Sequence, residues 1–118
     1  MELGLLLEDM GHEVAGFATT RDGALALAGE SSIDLALVDV HLSDGPTGFE
    51  VGRTLAERGV SVLFVTGNPD MVSAITHPVI GVLAKPTDQT LIADAVTYAL
   101  ARRAGRDLSP PAALRRFA

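Results

Sequence analysis

Three apolar runs each stop at a polar residue of a different chemical kind: Ile33–Val38 at Asp39, Val60–Val65 at Thr66 and Val79–Ala84 at Lys85. Nearly unbroken apolar runs of this length are expected of parallel strands covered on both faces, and the pattern makes Ile33–Val40 a central strand. Between the runs the periodicity changes to that of helices. Glu2–Met10 carries Leu3, Leu5, Leu6, Leu7 and Met10 at helical spacing, with Gly11 placed as a left-handed C-cap. His12–Ala18 reads as a short strand, and Thr20 as the N-cap of a helix reaching Gly29. The Ser43-Asp44-Gly45-Pro46-Thr47-Gly48 turn leads into an amphipathic helix from Gly48 to Arg58 with Phe49, Val51 and Leu55 inward, ended by Gly59. Asp70–Thr76 has room for a short helix only, since His77-Pro78 stops it. From Thr87 to Ala104 the stripe Leu91, Ile92, Ala95, Val96, Ala99, Leu100 predicts a long helix, after which Ser109-Pro110-Pro111 breaks the pattern.

Strands alternating with helices predict right-handed βαβ units and a parallel α/β sheet. The carboxyl ends of parallel strands share one edge, so Asp39, Thr66 and Lys85 are expected to converge there. Lys85 is the only lysine in the sequence.

Composition narrows the function. With 118 residues, 47% of them hydrophobic, the chain suffices for one compact domain. The net charge of −6 is uneven: residues 1–100 hold 14 acidic and 4 basic side chains, and residues 101–118 hold 1 and 5. Such a body repels nucleic acid, and DNA binding is not expected. The absence of cysteine excludes disulfides and thiolate chemistry. No apolar stretch is long enough to span a membrane, and no signal peptide is legible, so a cytoplasmic protein is expected.

An anion, a hydroxyl and a cation at one sheet edge suit phosphoryl transfer. A carboxylate can attack phosphorus if a cation offsets the charge on the equatorial oxygens, and a hydroxyl nearby can then bind a phosphoryl oxygen. Leu37-Val38-Asp39, Phe64-Val65-Thr66-Gly67 and Lys85-Pro86, separated by 27 and 19 residues, resemble the receiver domain of two-component response regulators. The resemblance spans residues 1–104, leaving 105–118 as a basic C-terminal tail. The His41–Gly48 loop and Phe-x-Thr-Gly segment look most like the subgroup with a Phe-Ala-Thr-Gly-hydrophobic-Tyr signature.

The resemblance implies a flavodoxin-like, doubly wound parallel sheet of order 2-1-3-4-5. It implies Asp39 as phosphoacceptor, Thr66 as switch hydroxyl and Lys85 as phosphate-binding cation, followed by a cis peptide to Pro86. It also implies Mg2+ held by Asp39 and the backbone carbonyl of His41. A histidine kinase or phosphotransfer protein would donate the phosphoryl group, and a protein target, as yet unknown, would read the result.

The sequence departs from the family in two places. Val82 stands where receivers carry an aromatic residue, and the family's first strand, with its acidic pair, has no counterpart. The receiver is therefore expected to be N-terminally truncated, with strand one missing. The gap between its neighbours would be filled by sequence upstream of Met1 or by a swapped or edge-paired homodimer, or left to local disorder of residues 1–30; truncation best restores consistency.

A second function is a pseudo-receiver, a non-phosphorylated interaction module. A haloacid-dehalogenase-like phosphatase is disfavoured because His41 occupies the position where that chemistry needs an acid. Asp44 and Thr47 read as turn and N-cap residues, His41 as a solvent-facing loop residue, and Arg102, Arg103, Arg106, Arg115 and Arg116 as a solvated helix end and its continuation.

Overall fold

The computed structural model describes residues 3–41, 43–45, 47–67, 81–85, 88–112 and 114–116. In chain order these form α1 (Leu3–Asp9), α2 (Arg21–Glu30), β1 (Leu35–Asp39), α3 (Gly48–Glu57), β2 (Ser61–Thr66), β3 (Gly81–Ala84), α4 (Gln89–Arg103) and β4 (Leu114–Arg116). The helix expected at Asp70–Thr76 and the peptide bond to Pro86 lie outside the described residues.

Local chemistry sets most boundaries. The Thr20 hydroxyl accepts from the Gly23 N–H at 3.1 Å and starts α2, and the Asp88 carboxylate accepts from the Leu91 N–H at 2.9 Å and starts α4. Gly11 follows α1 at φ 95°, the left-handed C-cap its position predicts.

β1, β2 and β3 are parallel and lie side by side in chain order. Alternation along the strands sends Val38, Phe64 and Val82 to one face, where Val51 and Leu55 of α3 cover them. Leu63 and Leu83 face the other way, against Ala95, Val96, Tyr98 and Ala99 of α4. Helices on both faces make the sheet doubly wound, as expected. Gly52 lets α3 lie close: a Cβ there would come within 2.3 Å of the buried Phe64 ring.

Three features differ from expectation. β1 is an edge strand, not a central one: among the described residues no strand pairs with its outer side, and Leu35, Ala36 and Leu37 stay half-buried. The 12–18 segment forms no strand, because it has no ladder partner and Val14 is its one β-branched residue; Phe17 is left 75% exposed. The segment expected to be only a tail supplies β4, which runs antiparallel to β3 with Leu83 opposite Leu114, Val82 opposite Arg115 and Gly81 opposite Arg116.

Candidate functional site

Asp39 is the last residue of β1, and Lys85 directly follows β3. The Lys85 ammonium is ion-paired to Asp39 Oδ2, while Asp39 Oδ1 accepts the His41 backbone N–H at 3.0 Å. The carboxylate thus lies between a fixed cation and a fixed amide. Both charged side chains remain open to solvent, Lys85 at 45% and Asp39 at 38%. An approaching phosphoryl donor can reach them.

Register explains this pairing. Asp39 stands opposite Val65, Val65 stands opposite Leu83, and Lys85 lies two residues beyond Leu83. With a side-chain period of two, Asp39 and Lys85 therefore share one face. Thr66 is one step out of phase. It is 1% exposed, on the side of Phe64, and meets the pair through its backbone: its carbonyl accepts the Lys85 N–H at 2.7 Å. All three residues occupy the same edge, the acid and the lysine as an ion pair.

The loop after β1 is held by a network of which the sequence predicts only a part. The Asp44 carboxylate accepts the Thr47 hydroxyl at 2.6 Å and the Arg21 backbone N–H at 3.1 Å, so it ties the loop to the start of α2. Arg21 in turn bridges to Glu50 of α3 at 3.0 Å, and the Ser43 N–H donates to the Thr19 carbonyl at 2.8 Å. Thr47 occupies the N-cap position, but its hydroxyl makes no cap bond. The Asp-Gly-Pro-Thr turn is legible in the sequence; partners more than 20 residues away are not.

The Thr47 hydroxyl, then the Arg21 amide, holds the Asp44 carboxyl below the ordinary carboxylate value of 3.8. A lowered folded-state pKa stabilises the fold above the unfolded value, and that contribution fades as pH falls through the folded one. Asp44→Asn is therefore expected to flatten the acid limb of a stability-versus-pH curve, where the unfolded and then the folded carboxyl take up a proton, and to leave its slope near neutral pH unchanged. Urea unfolding at a series of pH values measures this.

At the opposite end of the sheet, Arg103 is not simply solvated as expected. It donates to the Gly59 carbonyl at 2.7 Å and to Ser61 Oγ at 3.2 Å, and lies 3.7 Å from Asp34. It thereby ties the end of α4 to the turn between α3 and β2. Arg102 donates to the Tyr98 hydroxyl at 3.2 Å.

Mg2+ prefers near-octahedral oxygen coordination. Asp39 offers one carboxylate, with both oxygens already engaged, and the His41 carbonyl could add one donor. Among the described residues no three His, Asp or Glu side chains cluster as a metal site. This donor set does not fit a magnesium shell.

The sequence model of the response regulator receiver domain matches residues 1–97. The chain is 35% identical over 103 residues to the phyllosphere-induced regulator PhyR of Methylorubrum extorquens, covering 85% of this chain and 39% of that protein. It thus spans well under half the length of this curated relative. The PhyR receiver domain of Erythrobacter litoralis superposes with a TM-score of 0.72 at 25% identity, over 93% of this chain and 84% of that one. The anti-anti-sigma factor PhyR of Bartonella quintana shares the fold, with a TM-score of 0.72 at 24% identity over 87% of this chain and 43% of its own. An acid and a lysine paired at the carboxyl edge of a doubly wound sheet, together with these matches, show that the chain belongs to the response regulator receiver domain family.

Proposed function

We propose that this receiver accepts a phosphoryl group on Asp39 from a histidine kinase or phosphotransfer protein in the cytoplasm and signals through protein contact. The observation that carries this reading is the Lys85–Asp39 ion pair at the open end of the sheet. An Asp39 oxygen would attack phosphorus in line, forming a P–O bond as the P–N bond of a phosphohistidine breaks. The departing imidazole nitrogen keeps the electron pair and takes up a proton. The Lys85 ammonium, freed from the carboxylate, would follow the negative charge onto the phosphoryl oxygens. Thr66 would bind one of those oxygens only if the Thr66–Gly67 backbone shifts, since its side chain is enclosed. That need for a shift suits a switch.

The acidic body disfavours DNA as a target, and the name anti-anti-sigma factor borne by the Bartonella quintana relative supports a protein one. Among the described residues no helix is long and apolar enough to cross a membrane.

The thin oxygen donor set favours a second reading, the non-phosphorylated pseudo-receiver. Incubation with acetyl phosphate or a cognate kinase in magnesium buffer, followed by intact-mass measurement, separates the two. One added phosphoryl group, absent in Asp39→Asn, is the expected result. No uptake by the wild-type chain under either donor overturns phosphoacceptance and leaves the interaction module.

A further inference from the structure

The loop between β1 and α3 is anchored at both ends and in its middle. At the ends it bonds to β1: the His41 N–H donates to Asp39 Oδ1 at 3.0 Å, and the Gly48 N–H to the Val40 carbonyl at 3.0 Å. In the middle it bonds to the start of α2, where the Ser43 N–H donates to the Thr19 carbonyl at 2.8 Å and Asp44 Oδ2 accepts the Arg21 N–H at 3.1 Å. Thr20 caps α2 through the Gly23 N–H, which leaves the first-turn Arg21 N–H for an acceptor from another element. The other Asp44 oxygen accepts the Thr47 hydroxyl at 2.6 Å, across the reversal that Gly45 makes at φ 113°. One carboxylate thus joins both limbs of the turn to a neighbouring helix.

That anchor bears on the orientation of Asp39. Oδ2 is ion-paired to Lys85 and Oδ1 is held by the His41 amide, so the place of this amide sets the rotation of the carboxylate. His41 and Asp44 are three positions apart, a reach of about 10 Å at full extension, and a shift of the Asp44 anchor passes to the amide. We propose that Asp44 is a positioning residue for the phosphoacceptor: by tying the loop to the start of α2 it keeps the His41 amide against Asp39 Oδ1 and aims Oδ2 at the incoming phosphorus. That role rests on the reading of Asp39 as phosphoacceptor and goes beyond it, because Asp44 acts through the loop and His41 rather than on the reacting atoms.

Uptake from acetyl phosphate in magnesium buffer, followed by intact mass over a range of donor concentrations, is compared in the full wild-type chain, Asp44→Ala, Asp44→Asn and Thr20→Ala. Asp44→Ala is expected to lower the limiting rate at least tenfold with the half-saturating donor concentration unchanged, the pattern of lost orientation rather than lost binding. Asp44→Asn should stay within threefold of wild type, since its amide oxygen can accept the Arg21 N–H while its amide nitrogen donates to Thr47 Oγ1. Thr20→Ala weakens the same helix start by removing its own cap, and its limiting rate should equal that of wild type. An Asp44→Ala rate within threefold of wild type overturns the proposal. So does an equal fall in Thr20→Ala, which would make the effect one of helix stability, or in Asp44→Asn, which would make it one of charge. Amide exchange needs no phosphorylation: in Asp44→Ala the His41 N–H is expected to speed up at least tenfold more than amides 95–99 of α4, and a change in step with α4 overturns the proposal. A wild-type chain that takes up no phosphoryl group overturns the acceptor reading, and exchange at His41 then decides whether Asp44 holds that amide. Should Asp44→Ala fail to fold, Thr47→Val removes only the hydroxyl arm; a limiting rate at least threefold lower supports the role, and an unchanged one overturns it.

Discussion

Lys85→Met is expected to slow phosphoryl uptake at Asp39 by about 10²–10³-fold, the usual effect of removing one preorganised charge-stabilising group. Unfolding stability should stay within about 1 kcal/mol of wild type, as for other solvent-exposed ion pairs. Two opposed effects decide the sign. Losing the ammonium releases the Asp39 carboxylate from its ion pair, which by itself would make the oxygen a better nucleophile. That pair is 45% and 38% exposed, however, so solvent screens it and the gain is a small factor. In the transition state the same ammonium faces charge on several phosphoryl oxygens at once, and its loss there outweighs the gain in nucleophilicity. Stopped-flow or quenched uptake from acetyl phosphate, with urea unfolding on the same sample, reads both quantities. An uptake rate within threefold of wild type would show that Lys85 is an ordinary surface ammonium.

Gly48→Ala is expected to destabilise the fold by about 3 kcal/mol or more, at the upper end of what overpacking costs. A Cβ at Gly48 would lie 2.0 Å from the Asp39 carbonyl oxygen, 2.6 Å from the Val40 Cα and 2.7 Å from the Val40 oxygen. All three are backbone atoms, so no change of rotamer relieves the clash. The first turn of α3 must move off the end of β1, and the Gly48 N–H then loses the Val40 carbonyl it meets at 3.0 Å. Since the displaced atoms include Asp39 itself, phosphoryl uptake should fall with stability. Gly29→Ala is the matched control: a Cβ there meets nothing within 4 Å, and it should stabilise α2 by about 0.5–1 kcal/mol. Urea midpoints that move alike for the two variants would refute the close approach of α3 to β1.

Sequence patterns predict this fold well where the chemistry is local. Thr20 caps α2, Gly11 ends α1 in a left-handed conformation, and Val51 and Leu55 are buried as their spacing predicts. Asp39, Thr66 and Lys85 fall on one sheet edge, because apolar runs fix where parallel strands stop. Prediction is weaker where the answer depends on a neighbour distant in sequence. An apolar run such as Ile33–Val38 looks the same whether its strand lies inside a sheet or at its edge, and only the pairing shows that β1 has one strand neighbour among the described residues. Arg103 reads as a solvated helix end until the turn at Gly59 is brought against it. Leu114, between a Pro-Pro-Ala-Ala stretch and two arginines, gives no periodic signal of a strand.

Hydrophobic periodicity and the polar residues at its interruptions by themselves determined an α/β protein with an acid, a hydroxyl and a lysine at the carboxyl ends of its strands, and the motifs around those three residues carried the resemblance to receivers. Only the tertiary structure decided how those three relate. Inter-strand register, which no single strand encodes, puts Asp39 and Lys85 in phase and Thr66 out of phase, so that the acid and the lysine pair through side chains while the Thr66 carbonyl accepts the Lys85 N–H. Register depends on contacts across the sheet, and the order of residues along the chain specifies those contacts only once the chain has folded.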